Sequence, residues 1–408
     1  MTRNKPLLPT FDYPLLVLMA ALVGFGLVMV FSASYAFAYV NTENPLYFFI
    51  RQLIWTGIGA GALVVALNID YRLWQKWALP IMAITLLLLL LVLVFGAAKF
   101  GARRQFFDGS VQPSEIAKLA IIIYIAAWLS SKGSMARNVS ISLVPFAVLL
   151  GLLVGLILAQ PDIDTAMMIS VTAVAMFFIA GANLVQMVIL TALGAVTFAA
   201  VIILSPHAHE RMTIFISSIG NPIQTQNFHL REALYALVEG GVFGQGLANS
   251  VHKLPGGLPA VHSDSIFAVV GEELGLVGTL LVLALFLFFA YRGTRIAMAA
   301  RDSFGALLAF GITTWLVAQA FINMAVITAT FPLSGLPLPF FSYGGSSTVI
   351  NLGAVGILLN ISRGGGGIRF DALDRLWRRN RRPRLSDPDH GGGSARGLRT
   401  TGYARSRR

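Results

Sequence analysis

No cysteine occurs among the 408 residues, which excludes a disulfide framework and any thiolate metal site and leaves the redox compartment unmarked. Charge is scarce as well. Only 12% of the residues are Asp, Glu, Lys or Arg, against 56% hydrophobic and a mean hydropathy of +0.75, whereas soluble domains carry about twice that charged share. This balance excludes a soluble fold. No internal repeat of fixed period is present, so a transporter built from inverted repeats is not supported. The first apolar stretch follows Arg3 and Lys5 but lacks a small-residue cleavage site, and reads as a retained helix rather than a signal peptide.

What is present is a series of apolar stretches, each about 17 to 25 residues long, the length a helix needs to cross about 30 Å of hydrocarbon. Helices are expected because in lipid each backbone polar group must be satisfied within its own segment. The sequence predicts an all-α, polytopic membrane protein with ten transmembrane helices near 13–34, 50–68, 77–97, 113–129, 141–159, 165–181, 184–204, 265–291, 304–328 and 346–362. Residues 1–12 form a short N-terminus, 13–362 the membrane domain and 363–408 a basic tail. Between helices seven and eight lies a long segment, about 205–264, in an otherwise short-looped chain; loops of that length carry function or are disordered. Its apolar stretch from Phe228 to Leu247 favours packing at the membrane surface.

The net charge of +12 is unevenly spread, with +9 from Arg363 onward and +3 for everything before it. That tail is rich in Gly, Ser and Pro and reads as a disordered, cytoplasmic anchor drawn to anionic membrane lipids, with no nucleic acid as partner. Placing Arg72, Lys76, Lys132, Arg137, Arg292, Arg295 and Arg301 inside puts both termini in the cytoplasm and the 205–264 segment outside.

Five polar clusters interrupt the apolar sequence. Gly101-Ala102-Arg103-Arg104 precedes Gln112-Pro113-Ser114-Glu115 and Lys118. Glu115 and Lys118, three apart, share a helix face and can pair, either structurally or in function. Arg103 and Arg104 are lipid-headgroup contacts or a diphosphate clamp. In Gln160-Pro161-Asp162-Ile163-Asp164, the two acids do not share a face, and Asp162 suits either a helix cap or chemistry. Asp264, in His262-Ser263-Asp264-Ser265, stands at the external mouth of a helix. It is either an N-cap or a carboxylate whose raised pKa suits a general base, with His262 orienting it. Glu272 and Glu273 lie within a predicted span, so at least one must face the bundle interior or a cation. Prolines 337 and 339 lead into Gly344-Gly345-Ser346-Ser347, a non-helical approach whose backbone N–H groups can meet an anion.

In this order the clusters closely resemble the SEDS family, the FtsW, RodA and SpoVE relatives. The resemblance spans about residues 12–363 and includes Gly-Gly-Val-Phe-Gly-Gln-Gly at 240–246 and Leu-Leu-Asn-Ile-Ser-Arg at 358–363. It implies a peptidoglycan glycosyltransferase of the bacterial cell membrane that polymerises lipid II, the undecaprenyl-diphosphate-linked precursor, in division or elongation. On that resemblance Asp264 matches the acid regarded as catalytic. It acts as base toward the acceptor's 4-hydroxyl while positive charge receives the departing diphosphate, and a single displacement inverts the anomeric centre. Glu115, Lys118, Arg103, Arg104, Asp162, His262, Ser346 and Ser347 are the expected substrate-binding residues. No particular cofactor is implied, and a divalent cation is left open. A class B penicillin-binding protein is the implied partner, since the chain offers no soluble crosslinking domain and no nucleophilic Ser-x-x-Lys site in an external soluble region. The alternatives are a lipid II flippase or a non-catalytic scaffold.

The chain departs from the family's pattern at Gln105 where Trp is common, at Asp164 where Gly is common, at Ala260 for Glu and at Ser265 for Phe. His229 and Glu232 stand where glutamines are frequent.

Overall fold

The computed structural model describes residues 11–99, 102–105, 112–132, 143–220, 223, 225, 227–254 and 256–364. The expected N-terminus, except its last two residues, and the expected tail from 365 onward lie outside them. Among the described residues there are twelve helices: α1 (Tyr13–Thr42), α2 (Tyr47–Asn68), α3 (Arg72–Phe95), α4 (Pro113–Lys132), α5 (Val144–Leu158), α6 (Ile163–Ile179), α7 (Leu184–Leu204), α8 (Pro206–Ser218), α9 (Phe228–Gly240), α10 (Ile266–Ala299), α11 (Ser303–Ile327) and α12 (Gly345–Ser362). A small antiparallel hairpin, β1 (Ala97–Lys99) and β2 (Ala102–Gln105), follows α3.

The ten predicted helices correspond to α1–α7 and α10–α12. Among the described residues, eight helices are long and apolar enough to cross a bilayer. The other two, α5 and α6, have 15 and 17 residues, about 22 to 26 Å of helix and shorter than a full crossing. The segment expected as a loop contains α8 and α9. Neither is a candidate span, so eight helices rather than ten qualify as full crossings among the described residues, and α8 and α9 went unpredicted.

Polarity is distributed as in a protein solvated by lipid. Leu79, Val94, Leu184 and Ile203 point outward, each more than 60% exposed, while Lys118, Glu272, Glu273, Gln319 and Asn360 are at most 1% exposed. Between helices in lipid, burial from water supplies no driving force, so close backbone approach and polar pairing hold the bundle together. On α12, a Cβ at Gly356 would lie 2.4 Å from the Leu63 carbonyl of α2. Asn360 of α12 then binds both ends of the α2–α3 turn, donating to the Leu67 carbonyl (2.7 Å) and accepting from Tyr71 N–H (2.9 Å).

Short polar side chains set where helices begin. Asp12 caps α1 by accepting from Leu15 N–H, with Pro14 in the first turn, and its carboxylate also binds Arg292 near the end of α10. Asp302 caps α11 through Gly305 N–H and accepts from Tyr71 and Arg72. These contacts gather the start of α1 and the ends of α10 and α12 at one end of the bundle. The candidate site lies at the other.

One helix is broken on purpose by its glycines. Gly275 has φ 65° and interrupts α10, which frees two N–H groups and two carbonyls in a region where unpaired backbone costs several kcal/mol. The 240–246 segment takes up all four. Leu276 and Val277 N–H donate to the carbonyls of Gly241 (2.9 Å) and Val242 (3.1 Å), and Gln245 and Gly246 N–H donate to those of Glu272 (2.9 Å) and Glu273 (3.0 Å). Such an approach requires glycine: a Cβ at Gly240 or Gly244 would fall 1.9 Å from the Gly271 carbonyl or 2.1 Å from that of Glu273. The two glycine-rich motifs, about 30 residues apart in sequence, are therefore one structural unit.

Candidate active site

Asp264 immediately precedes α10 but does not cap it. The cap position is Ser265, which makes no capping bond and gives its hydroxyl to the Pro259 carbonyl (2.7 Å). The backbone around Asp264 is fixed from the opposite side of the mouth by the 334–343 segment. Asn323 of α11 donates to the Asp264 carbonyl (2.9 Å) and to that of Leu336 (2.8 Å). Ser342 donates to the Ser263 carbonyl (2.6 Å), and Tyr343 N–H to that of His262 (2.8 Å). The carboxylate is thus held in place without being consumed by the helix start.

Asp164, in the first turn of α6, faces it. Gly335 separates the two: a Cβ there would lie 3.4 Å from Asp264 Oδ2 and 3.5 Å from Asp164 Oδ2. Asp164 accepts from Gly335 N–H (2.9 Å) and pairs with Arg211 of α8 (3.2 Å). Burial first, and then the Asp164 charge, push the Asp264 carboxyl up to about 7, against the opposing pull of the Ser263 hydroxyl and Arg211.

Asp162 is placed differently. It caps α6 by accepting from Thr165 N–H (3.3 Å), and its second oxygen accepts from Ser114 (3.0 Å) and Gln112 (3.2 Å). Gln112 N–H in turn donates to Ser346 Oγ (3.4 Å), which ties α4, α6 and α12 together at the mouth. Ser347 accepts from Asn351 (3.3 Å). Of the approach to α12, Gly344 N–H is taken by Gln52 (3.2 Å), so any anion there would meet the first-turn N–H groups of α12 instead.

Glu115 and Lys118 form a buried ion pair (2.7 Å). The ammonium also donates to Gln319 (3.0 Å) and lies over the Trp315 ring of α11 (5.3 Å). Gln319 completes the chain by donating to the Pro337 carbonyl (2.8 Å), so the pair connects to the segment that faces Asp264. Arg103 and Arg104 lie on β2, with Arg103 opposite Ala98. The hairpin follows α3.

His262 does not orient Asp264. Among the described residues no hydrogen bond joins them. Its ring stacks on Phe48 (4.5 Å between centroids) and packs against Phe37 and Tyr343, and burial lowers its pKa to about 4. The ring is therefore neutral and packed among aromatic side chains.

Two of the departures from the family pattern meet: His229 Nε2 contacts Ser265 Oγ at 2.6 Å. Burial and then Arg211 hold His229 below its usual pKa, so it acts as a neutral partner. Arg211 itself pairs with a third departure, Asp164. Asp164, His229 and Ser265 are thus grouped beside Asp264, whereas Glu232 pairs with His252 elsewhere. Arg211 and Asn323 were not singled out from the sequence, whereas Gly335 opens the proline-rich approach to α12. Asn323 had a usable signal, since with Gln319 it puts two amides on one face of an apolar helix, whereas nothing local marks Arg211. The segment does contain one Ser-x-x-Lys spacing, Ser250 to Lys253, but it offers no nucleophile. The Ser250 hydroxyl donates to Glu272, and the buried Lys253 ammonium binds Glu273 (2.7 Å).

The family model for FtsW, RodA and SpoVE, described as cell cycle protein, matches residues 13–365. The chain is 41% identical over 369 residues to a probable peptidoglycan glycosyltransferase FtsW of Trichlorobacter lovleyi, covering 88% of this chain and 96% of that one. It is 37% identical to stage V sporulation protein E of Bacillus subtilis, covering 86% and 97%. Among solved structures it resembles a chain from work on the structural coordination of polymerization and crosslinking by a peptidoglycan synthase complex, with TM-score 0.70, 28% identity and coverage of 87% and 98%. It also resembles the rod shape determining protein RodA of Thermus thermophilus, with TM-score 0.64, 26% identity and the same coverage.

Proposed function

Because this chain belongs to the FtsW, RodA and SpoVE family of cell cycle proteins, we propose that it is a peptidoglycan glycosyltransferase that polymerises lipid II at the outer face of the bacterial cytoplasmic membrane. The observation that carries this reading is Asp264: a carboxylate fixed by its backbone, unused by the helix it precedes, and pushed up to about 7 by burial and the facing Asp164. A general base works best with a pKa near the operating pH. In this scheme Asp264 takes the proton from the acceptor's 4-hydroxyl. The α-linked donor then loses its diphosphate toward Arg103 or Arg104 and the first-turn N–H groups of α12, and one displacement gives the β-linkage. Lys118, neutralised by Glu115 and anchored by Gln319, braces the wall behind the acceptor. Asp162, Ser346 and Ser347 shape the substrate mouth, and His262 offers its ring face to a sugar.

The polar network sits at one end of α4, α6, α10 and α12, which suits chemistry at one membrane face better than escort of a headgroup across the bilayer. We place both termini in the cytoplasm, so protease added to intact cells leaves 363–408 uncut. The synthase-complex neighbour supports a class B penicillin-binding protein as partner for crosslinking. The deciding experiment is a polymerisation assay with purified protein and lipid II, with and without that partner. Glycan polymer from the wild type and none from well-folded Asp264→Asn is the expected result. Polymer from both would remove Asp264 from the base role.

A further inference from the structure

A second cluster of ligating groups lies away from Asp264, where α9, the 244–257 segment and α10 meet. His252 stands at its centre. Its Nδ1 is 3.0 Å from Glu232 Oε2, and a carboxylate can only accept, so Nδ1 carries the proton and Nε2 is left with its lone pair when the ring is neutral. That Nε2 is fully enclosed and, among the described residues, makes no hydrogen bond, yet it faces Glu239 Oε2 at 3.3 Å. Glu272 closes the third side, and one ligand atom from each of Glu239, His252 and Glu272 lies within 4.8 Å of the others.

The arrangement is short of positive charge. Three carboxylates surround one imidazole, and the neighbouring cations are used elsewhere. Lys253 sends its buried ammonium to Glu273, and Arg231 reaches only the outer side of Glu232 at 3.7 Å. Lone pair facing lone pair is repulsive, and either a proton on Nε2 or a metal ion resolves it. The geometry favours the metal, because a ligating histidine characteristically gives its other ring N–H to a carboxylate, which fixes the tautomer and aims the free nitrogen. Glu232 occupies that position. Glu272 is already oriented: its Oε1 accepts the N–H groups of Val251 and His252, and its Oε2 accepts the Ser250 hydroxyl and keeps a second lone-pair direction for an ion. Glu239 is about half exposed and gives both access and the freedom to close ligand distances to about 2.1 Å.

We propose that Glu239, His252 and Glu272 form a binding site for one divalent first-row metal ion, such as Zn2+ or Mn2+, with Glu232 orienting the histidine. One imidazole with two carboxylates suits such ions better than Mg2+ or Ca2+, which take oxygen ligands. The fourth position opens to solvent beside Glu239. The ion would tie the end of α9 to the broken turn of α10 and so stiffen the segment leading to Asp264; its existence does not depend on the polymerase reading.

The test uses the full chain in detergent micelles, carrying an affinity tag without histidine. The protein is stripped with EDTA, titrated with ZnCl2 or MnCl2, and assayed for retained ion by elemental analysis after gel filtration and for thermal midpoint. The wild type should retain one ion per chain and melt higher with it. Glu232→Gln should weaken binding about 10- to 100-fold, Glu239→Gln at least as much, and His252→Gln should abolish it. The site is refuted if the wild type retains no stoichiometric ion, or if Glu239→Gln, an exposed change that leaves the fold intact, binds as tightly as wild type. A melting point raised by acid but indifferent to metal would assign the cluster to a protonated His252 instead.

Discussion

Helices α6 and α10 both begin at the same end of the bundle, and each is led by an aspartate, but the two carboxylates are employed in opposite ways. At α6, Asp162 is saturated: one oxygen caps the helix and the other receives Ser114 and Gln112. At α10, the fixing is done by backbone carbonyls and by Ser265, Ser342 and Asn323, and the Asp264 side chain is left over. A carboxylate surrounded by donors is stabilised as an anion, whereas one that is buried beside another carboxylate is held toward its protonated form. Position at a helix mouth therefore says little about role, and the partners say most of it.

The strongest way to break this comparison is to neutralise each aspartate without changing its shape. Asp264→Asn should cut glycan polymerisation about 100- to 10,000-fold while leaving the protein folded. It should even melt higher than wild type above pH 7. The sign follows from linkage: a carboxyl whose folded pKa is raised to about 7 favours the folded state while protonated, and that contribution is lost as pH rises between its ordinary value and 7. A melting point lower than wild type at pH 8 would show that Asp264 is structural after all.

The next effect concerns pH. Asp164→Asn keeps an acceptor for Gly335 N–H, removes the facing charge and leaves Arg211 to act on Asp264 alone, so the acid limb of the rate profile should move to lower pH. Arg211→Gln should move it the other way. Shifts of the same sign in both variants would mean that this pair does not act on Asp264 electrostatically.

Smaller still is the stability loss on Asp162→Ala, about 1 kcal/mol for the cap alone, read as a lower melting point with or without substrate. Asp162→Asn should keep the cap, because Asn caps nearly as well, and lose the acceptor that Ser114 and Gln112 share, with a far smaller effect on polymerisation than Asp264→Asn. A loss of polymerisation in Asp162→Asn comparable to that of Asp264→Asn would erase the distinction between the two helix mouths.

Much of this was legible beforehand for a definite reason. A membrane helix must satisfy its own backbone, so apolar length alone marks it: helices form at the ten predicted places, eight of them long enough to cross. Helices α8 and α9 were not marked, because their sequences carry His, Arg and Glu among apolar residues and their period is that of a surface helix. The expectation that His262 orients Asp264 rested on proximity in sequence, whereas the aromatic residues that take His262 come from α1, α2 and the approach to α12.

By itself, the sequence determined that the chain lives in a membrane, roughly where its helices run, and that Asp264 and the Glu115–Lys118 pair are exceptional, because isolated charge in an apolar chain is costly and therefore visible. Only the tertiary structure decided which charges meet. Asp164 and Asp264 are a hundred residues apart yet flank Gly335, His229 reaches Ser265, and the 240–246 glycines repair the break at Gly275. These are long-range pairings of short-range forces: a carboxylate's pKa and an unpaired carbonyl's cost depend on neighbours within a few ångströms, and folding alone brings those neighbours together.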